Sequence, residues 1–190
     1  MKRLYPGFAL IVLFASCSKK EIAAPQTSPA VAAISQIAAT ARPVVTTWER
    51  PMEWSRTTAP DGSTRYSSER TVPALSPELA ENGLVLTFVT GYNLETPALE
   101  KPMGLPFQFY SLSGRSDRPL LWEQGIRPGA LSLSVTVPAA DAGQFESGSS
   151  RIQVRHILLS PTAIAATGRT AEELRNLSFR DLAALLGIAR

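Results

Sequence analysis

One cysteine, one histidine and no apolar run long enough to cross a membrane set the first limits on this chain of 190 residues. Without a second cysteine no internal disulfide can close, so a folded part must rely on its apolar core. A zinc centre needs three or four His, Cys or carboxylate ligands, and the usual residues here cannot supply them. The acids are spread too thinly for the oxygen cage that calcium requires. No G-x-S-x-G elbow, phosphate-cradling glycine loop or H-E-x-x-H helix is present. Lys and Arg number 19 against 16 acids, with no basic cluster of the kind that marks a nucleic-acid surface. Neither a cofactor nor a nucleic-acid partner is expected. The ordinary starting points for an enzyme are missing.

What is present begins at the N-terminus. Lys2 and Arg3 precede an uninterrupted apolar run from Phe8 to Phe14, and the small residues Ala15 and Ser16 follow it. A charged start, a short apolar stretch and a small-residue end form the layout of a secretory signal peptide. The run is well short of the roughly 20 residues that span a bilayer, so a retained transmembrane helix is not expected.

The cysteine lies directly after this segment, in Phe14-Ala15-Ser16-Cys17. The four residues resemble the lipobox of bacterial lipoproteins, where an apolar residue and two small ones precede the cysteine. The resemblance covers about the first 17 residues. It implies that signal peptidase II removes residues 1 to 16 and that Cys17 becomes the acylated first residue of the mature chain. Membrane lipid is then the first partner, and the bacterial cell envelope, at its outer membrane, is the expected location. Two or three acyl chains anchor stably where a single chain binds only marginally. A catalytic thiol would need a base and a folded pocket, and the sole histidine is 139 positions away. Cys17 is expected to be an anchor.

Cleavage would leave 174 residues and, by removing Lys2 and Arg3, lower the formal charge from +3 to +1. The mature chain is therefore less basic than its pI suggests. Residues 17–43 comprise the lipidated cysteine and a stretch rich in Ala, Pro, Ser and Thr, the composition of a flexible tether. Its 26 residues from 18 to 43 would span about 28 Å as a flexible coil. Residues 44–190 are read as one domain, long enough to bury roughly two thirds of its surface.

From Val44 the pattern has period two. In Ala130-Leu-Ser-Leu-Ser-Val-Thr-Val137, the residues Leu131, Leu133, Val135 and Val137 point one way and Ser132, Ser134 and Thr136 the other. That alternation describes a strand with one wet face. Residues 151–159 place Ile152, Val154, His156 and Leu158 on one side. Gly83 to Val89 is apolar on both faces, as a central strand is. Trp48, Met52 and Trp54 share a side of a further run, with Pro51 favouring an edge or a bulge. Shorter runs at residues 65–72, 105–110 and 120–123 bring the total to about seven strands. Asp61-Gly62-Ser63 reads as a hairpin turn.

Helix signals are few. Ser76-Pro77-Glu78 is a cap followed by proline and an acid, and Thr170 with Glu173 forms a capping box. Ser178 starts a C-terminal helix in which Phe179, Leu182, Leu185 and Leu186 share a face and Gly187 is the stop. Many short strands with few short helices predict a mainly β fold, an antiparallel β-sandwich or open barrel with this last helix plugging one end. The layout as a whole resembles that of small Bacteroidota lipoproteins. The shared features are an early tryptophan pair, Gly83-Leu84-Val85-Leu86 after a short helix, Leu105-Pro106, and Arg155 to Leu159 before a terminal helix. That group supplies no chemistry to carry over.

His156 lies on the apolar side of its strand, and a buried structural histidine is the simpler account. Glu49 and Glu53 would sit on one strand face about 13 Å apart, against the roughly 5 to 9.5 Å that glycoside hydrolysis needs. Asn176-Leu177-Ser178 matches a glycosylation triplet that a bacterial leader makes irrelevant. Trp48, Trp54, Tyr66, Tyr92, Tyr110 and Trp122 are the aromatics that a sugar-stacking platform would use. Tyr92, just past a buried strand, is expected to be the most exposed of them, and Tyr92 and Trp122 are the ligand-binding candidates. The leading expectation is a non-enzymatic lipoprotein domain that binds another envelope protein or plays a structural role. A carbohydrate-binding module is second, and a small hydrolase built on His156 third.

Overall fold

The structure, a computed structural model, describes residues 42–51, 53–93, 95–96, 100–111 and 116–189. The leader, Cys17, the tether up to residue 41 and Met52 lie outside the described residues. Two antiparallel sheets make up the framework. Sheet A has the order β1-β9-β4-β5, with β1 at Val44–Val45, β9 at Gln153–Leu159, β4 at Leu84–Thr90 and β5 at Met103–Gly104. Sheet B has the order β2-β3-β8-β7-β6. Its strands are β2 at Ser55–Thr58, β3 at Thr64–Thr71, β8 at Ala130–Val137, β7 at Leu120–Arg127 and β6 at Phe107–Phe109. The expected mainly β sandwich is the fold, with nine strands among the described residues in place of about seven.

Strand β8 follows its alternation. Leu131, Leu133, Val135 and Val137 are buried between the sheets, and across the register Ser68 lies opposite Leu133 and Arg70 opposite Leu131. Its other face carries Ser132, Ser134 and Thr136 beside an array of exposed ion pairs, Arg65 with Glu123 at 3.2 Å and Arg127 with Glu69. Ser134 is buried there only because the Arg65 guanidinium donates to its hydroxyl at 2.7 Å and lies across it.

Sheet A is apolar on both sides, and this decides the layering. Val85, Val89, Val154 and Leu158 face sheet B, while Leu84, Leu86, Phe88, Ile157 and Leu159 face outward. Three short helices cover that outer face: α3 at Pro161–Ala166, α4 at Ala171–Arg175 and α5 at Phe179–Leu186. The earlier helices are α1 at Pro77–Asn82 and α2 at Ala142–Gly148. The C-terminal helix thus lies on the flat of sheet A, where Ala163, Leu174, Phe179 and Leu182 join the outer apolar cluster, instead of plugging an end. A strand pair apolar on both faces needs a cover on each. Among the described residues no helix is long and apolar enough to cross a membrane.

The helix ends follow the local chemistry. Ser76, Ser160 and Ser178 each accept a hydrogen bond from the backbone N–H three residues on, and Thr170 with Glu173 completes its capping box. Gly187 closes α5 with a φ of 63°, the left-handed conformation that favours glycine. Leu185 is 40% exposed, against its expected place on the buried face. At 100° per residue the stripe through Phe179 and Leu182 continues to Ala183, which takes the seat assigned to Leu185.

The segment expected to be one strand with Trp48 and Trp54 on the same side is two pieces. Glu49 bridges Val154 of sheet A, and the chain then crosses to sheet B, which it joins at Ser55. Trp48 meets Phe179 edge to face at 5.3 Å in the outer cluster, and Trp54 meets Phe145 at 5.6 Å between the sheets. Pro51, which has no N–H to give a ladder, sits at the crossing.

Candidate functional site

The crossing leaves the two sheets open along one side. A cleft of about 410 Å³ enters there, within the roughly 300–1,000 Å³ range of small-molecule sites. Leu131, Leu133 and Val154 line it with apolar surface. Its polar lining comes from Ser68, Glu69, Arg70 and Thr71 of β3, His156 of β9, and Glu49 and Arg50 of the crossing segment. Period two explains the grouping, because Tyr66, Ser68 and Arg70 share the inner face of β3 as Val154 and His156 share that of β9.

His156 is 4% exposed and tied on several sides. It faces Thr87 across the β4–β9 register, and its Nδ1 shares a hydrogen bond of 2.8 Å with the Thr87 hydroxyl. Its backbone N–H donates to Thr46 Oγ1 at 2.9 Å, and its carbonyl accepts from the Thr46 N–H at 3.0 Å. Burial, with the nearby Arg70 charge adding to it, pulls the imidazole down to about 4 from its ordinary 6.5. The ring is neutral at pH 7. Arg70 in turn is paired with Glu49, both side chains partly exposed at the cleft mouth.

A hydrolytic site would ask a serine to donate to this histidine and an acid to orient it. Ser68, His156 and Glu49 do line one cleft, yet the described contacts do not connect them. The imidazole is held by Thr87, and Glu49 serves Arg70. Among the described contacts, neither Ser68 nor Glu49 is bonded to the imidazole.

The other candidates fall elsewhere. Tyr92, expected at the surface, is 8% exposed, and Trp122 is 1% exposed. The Tyr92 hydroxyl donates to the Lys101 carbonyl at 3.1 Å, and its ring meets Phe107 and Phe109 edge to face at 5.0 and 5.3 Å. Trp122 stacks on Phe107 with ring centroids 5.6 Å apart. Both belong to the cluster between the sheets, where the rings of Phe107 and Phe109 from β6 cover Tyr92 and Phe107 stacks on Trp122. Tyr92 also borders a cavity of about 20 Å³ with Glu95, Ser111, Asp141 and Gln144, room for about one water. Of the six aromatics proposed for sugar stacking, only Tyr110 is exposed. Glu49 and Glu53 lie on either side of the crossing and share no strand face.

The sequence reading missed Ser68 and Arg70. Continuing the alternation of Tyr66 by two and four residues would have brought both to the inner face. The Asp61 turn was read correctly, and hydrogen bonds from Ser63, then Arg118, hold its carboxyl down to about 2. Among the described residues no three His, Cys, Asp or Glu side chains gather as a metal site would need. No protein-family model matches this chain, and no curated protein or solved structure does either.

Proposed function

We propose that the chain is a lipid-anchored protein of the bacterial envelope, held at the outer membrane through acylated Cys17, whose sandwich binds an envelope component without catalysis. The observation that carries the binding reading is the cleft of about 410 Å³ between the sheets, where Leu131, Leu133 and Val154 lie beside charged and polar side chains. The neutral, Thr87-bound His156 supports binding over hydrolysis. The glycan-binding alternative loses its platform with Tyr92 and Trp122 buried. The anchor is supported by Phe14-Ala15-Ser16-Cys17.

The test uses full-length protein extracted from its native membrane in mild detergent, and mass spectrometry identifies what travels with it. A component lost on Arg70→Glu and retained on Arg127→Ala, a change on the opposite sheet face, places binding in the cleft. Identical profiles for the two variants would refute that placement. For the anchor, Cys17→Ser should leave the membrane fraction, and its continued cleavage before position 17 with full retention would contradict lipidation.

A further inference from the structure

Arg155 is the neighbour of His156 on β9 and therefore points to the opposite face, toward the helices. It is only 9% exposed and has no carboxylate partner among the described residues. Its Nε donates to the Thr46 carbonyl at 3.0 Å and its Nη1 to the Ala189 carbonyl at 2.8 Å. The guanidinium carbon lies 6.0 Å from the Trp48 ring centroid and 5.6 Å from that of Phe179. Carbonyl dipoles and ring faces ease the burial of the charge without neutralising it. A guanidinium has five N–H groups, and two of them are bonded among the described residues.

Arg155 also borders an open groove of about 590 Å³ where the chain enters the domain. Arg42 and Thr47, both exposed, stand along it, and Val45, Leu186 and Ile188 form its apolar lining. Among the described residues no acid lines the groove. Arg42 carries no ion pair among the described residues, in contrast with Arg56, Arg65, Arg70, Arg118 and Arg127, each of which is matched to a carboxylate. Two guanidinium groups on a concave surface favour an anion, and the acid Glu78 lines a neighbouring groove that Arg42 also borders.

We propose that this groove is a phosphate-binding site, with Arg155 and Arg42 as its cationic ligands and the Thr47 hydroxyl as a further donor. Two positive charges match the roughly −1.5 to −2 of a phosphate monoester better than the single charge of a carboxylate. Guanidinium forks bind phosphate oxygens in pairs, and the charge-assisted bonds are about twice as strong as neutral ones. The phosphate comes from a phospholipid headgroup or from a free phosphorylated molecule. The site is distinct from the inter-sheet cleft and does not depend on it.

The rings beside Arg155 provide a signal. Acylated full-length protein in a neutral detergent is titrated with inorganic phosphate, with acetate, and with phosphatidic acid, whose headgroup is a phosphate monoester, added to the micelles, while tryptophan emission is followed. Trp48→Phe identifies the part of the signal that comes from the groove. A saturable change with inorganic phosphate, weaker with acetate and weakened on the order of tenfold by Arg42→Gln, is the expected result. A change seen with phosphatidic acid and not with inorganic phosphate keeps the site and names the headgroup as its source. No response to either phosphate, acetate binding as tightly as phosphate, or an Arg42→Gln response equal to wild type overturns the proposal. Arg42 is exposed and outside the Arg155 hydrogen bonds, so this variant leaves the fold intact. Arg155→Lys, which keeps the charge and loses the fork, should weaken the phosphate response as well.

Discussion

His156 and Arg155 are consecutive residues in one strand, and they occupy opposite electrostatic environments. The histidine faces the other sheet, where the one neighbouring cation, Arg70, is already paired with Glu49. The arginine faces the helices, where no described acid meets it and carbonyls and aromatic rings surround it. On the inner side a neutral base and the Arg70–Glu49 pair share the cleft with Arg50, Glu69 and the apolar Leu131, Leu133 and Val154. On the outer side an uncompensated cation borders an open groove. A single strand step therefore separates the cleft between the sheets from the groove proposed for phosphate, and the strand's two-residue period is the cause.

The comparison is tested hardest at the outer layer. If the helices are a true second core, Phe179→Ala should cost about 3–5 kcal/mol, as removal of a buried aromatic does. Phe179 holds Trp48 and Phe88 edge to face at 5.3 and 5.1 Å and flanks Arg155. A chemical denaturation midpoint nearly unchanged in this variant would make the helices ornaments on a two-layer sandwich.

The next effect belongs to the inner face. Folding lowers the His156 pKa to about 4 from 6.5, so the unfolded chain binds the extra proton first as pH falls. The stability that accompanies neutral His156 is fully present above pH 6.5 and is lost as pH drops toward 4, a change of about 3 kcal/mol. Denaturation of wild type and His156→Phe across this window should differ by that slope. Parallel curves would mean that the imidazole is already hydrated in the folded protein.

The smallest effect concerns the ion pair between the two. Arg70→Ala should cost about 1 kcal/mol or less, since both partners are partly exposed. It should also raise the pKa of His156, because one of the two causes that lower it is removed while burial remains. An unchanged histidine titration in this variant would separate Arg70 from the cleft.

Much of the framework was legible in the sequence because strand alternation and capping are local signals. Leu131 to Val137 announced its faces, Ser76 and Thr170 announced their helices, and the residues of β4 announced a strand buried on both sides. The outer helical layer was legible only in part. Ser160-Pro161 carries the same cap-and-proline signal as Ser76-Pro77 and was passed over, and α2 opens without a side-chain cap. Pairings between distant segments left no local trace. Glu49 meets Arg70, Thr87 meets His156, and Arg155 meets Ala189 only through the fold. Tyr92 illustrates the limit most clearly. Its position after a buried strand suggested exposure, but Phe107 and Phe109, more than a dozen residues later, close over it.

The account turns on His156 being a neutral, buried residue in a binding cleft and not a working base. Proton NMR of the acylated full-length protein in detergent gives one imidazole titration, since the chain has a single histidine. A midpoint near 4, with no protonation between pH 6 and 8, is the predicted result. A midpoint at or above 6.5 would contradict it, placing the ring in water or beside an acid and reopening the cleft as a catalytic site.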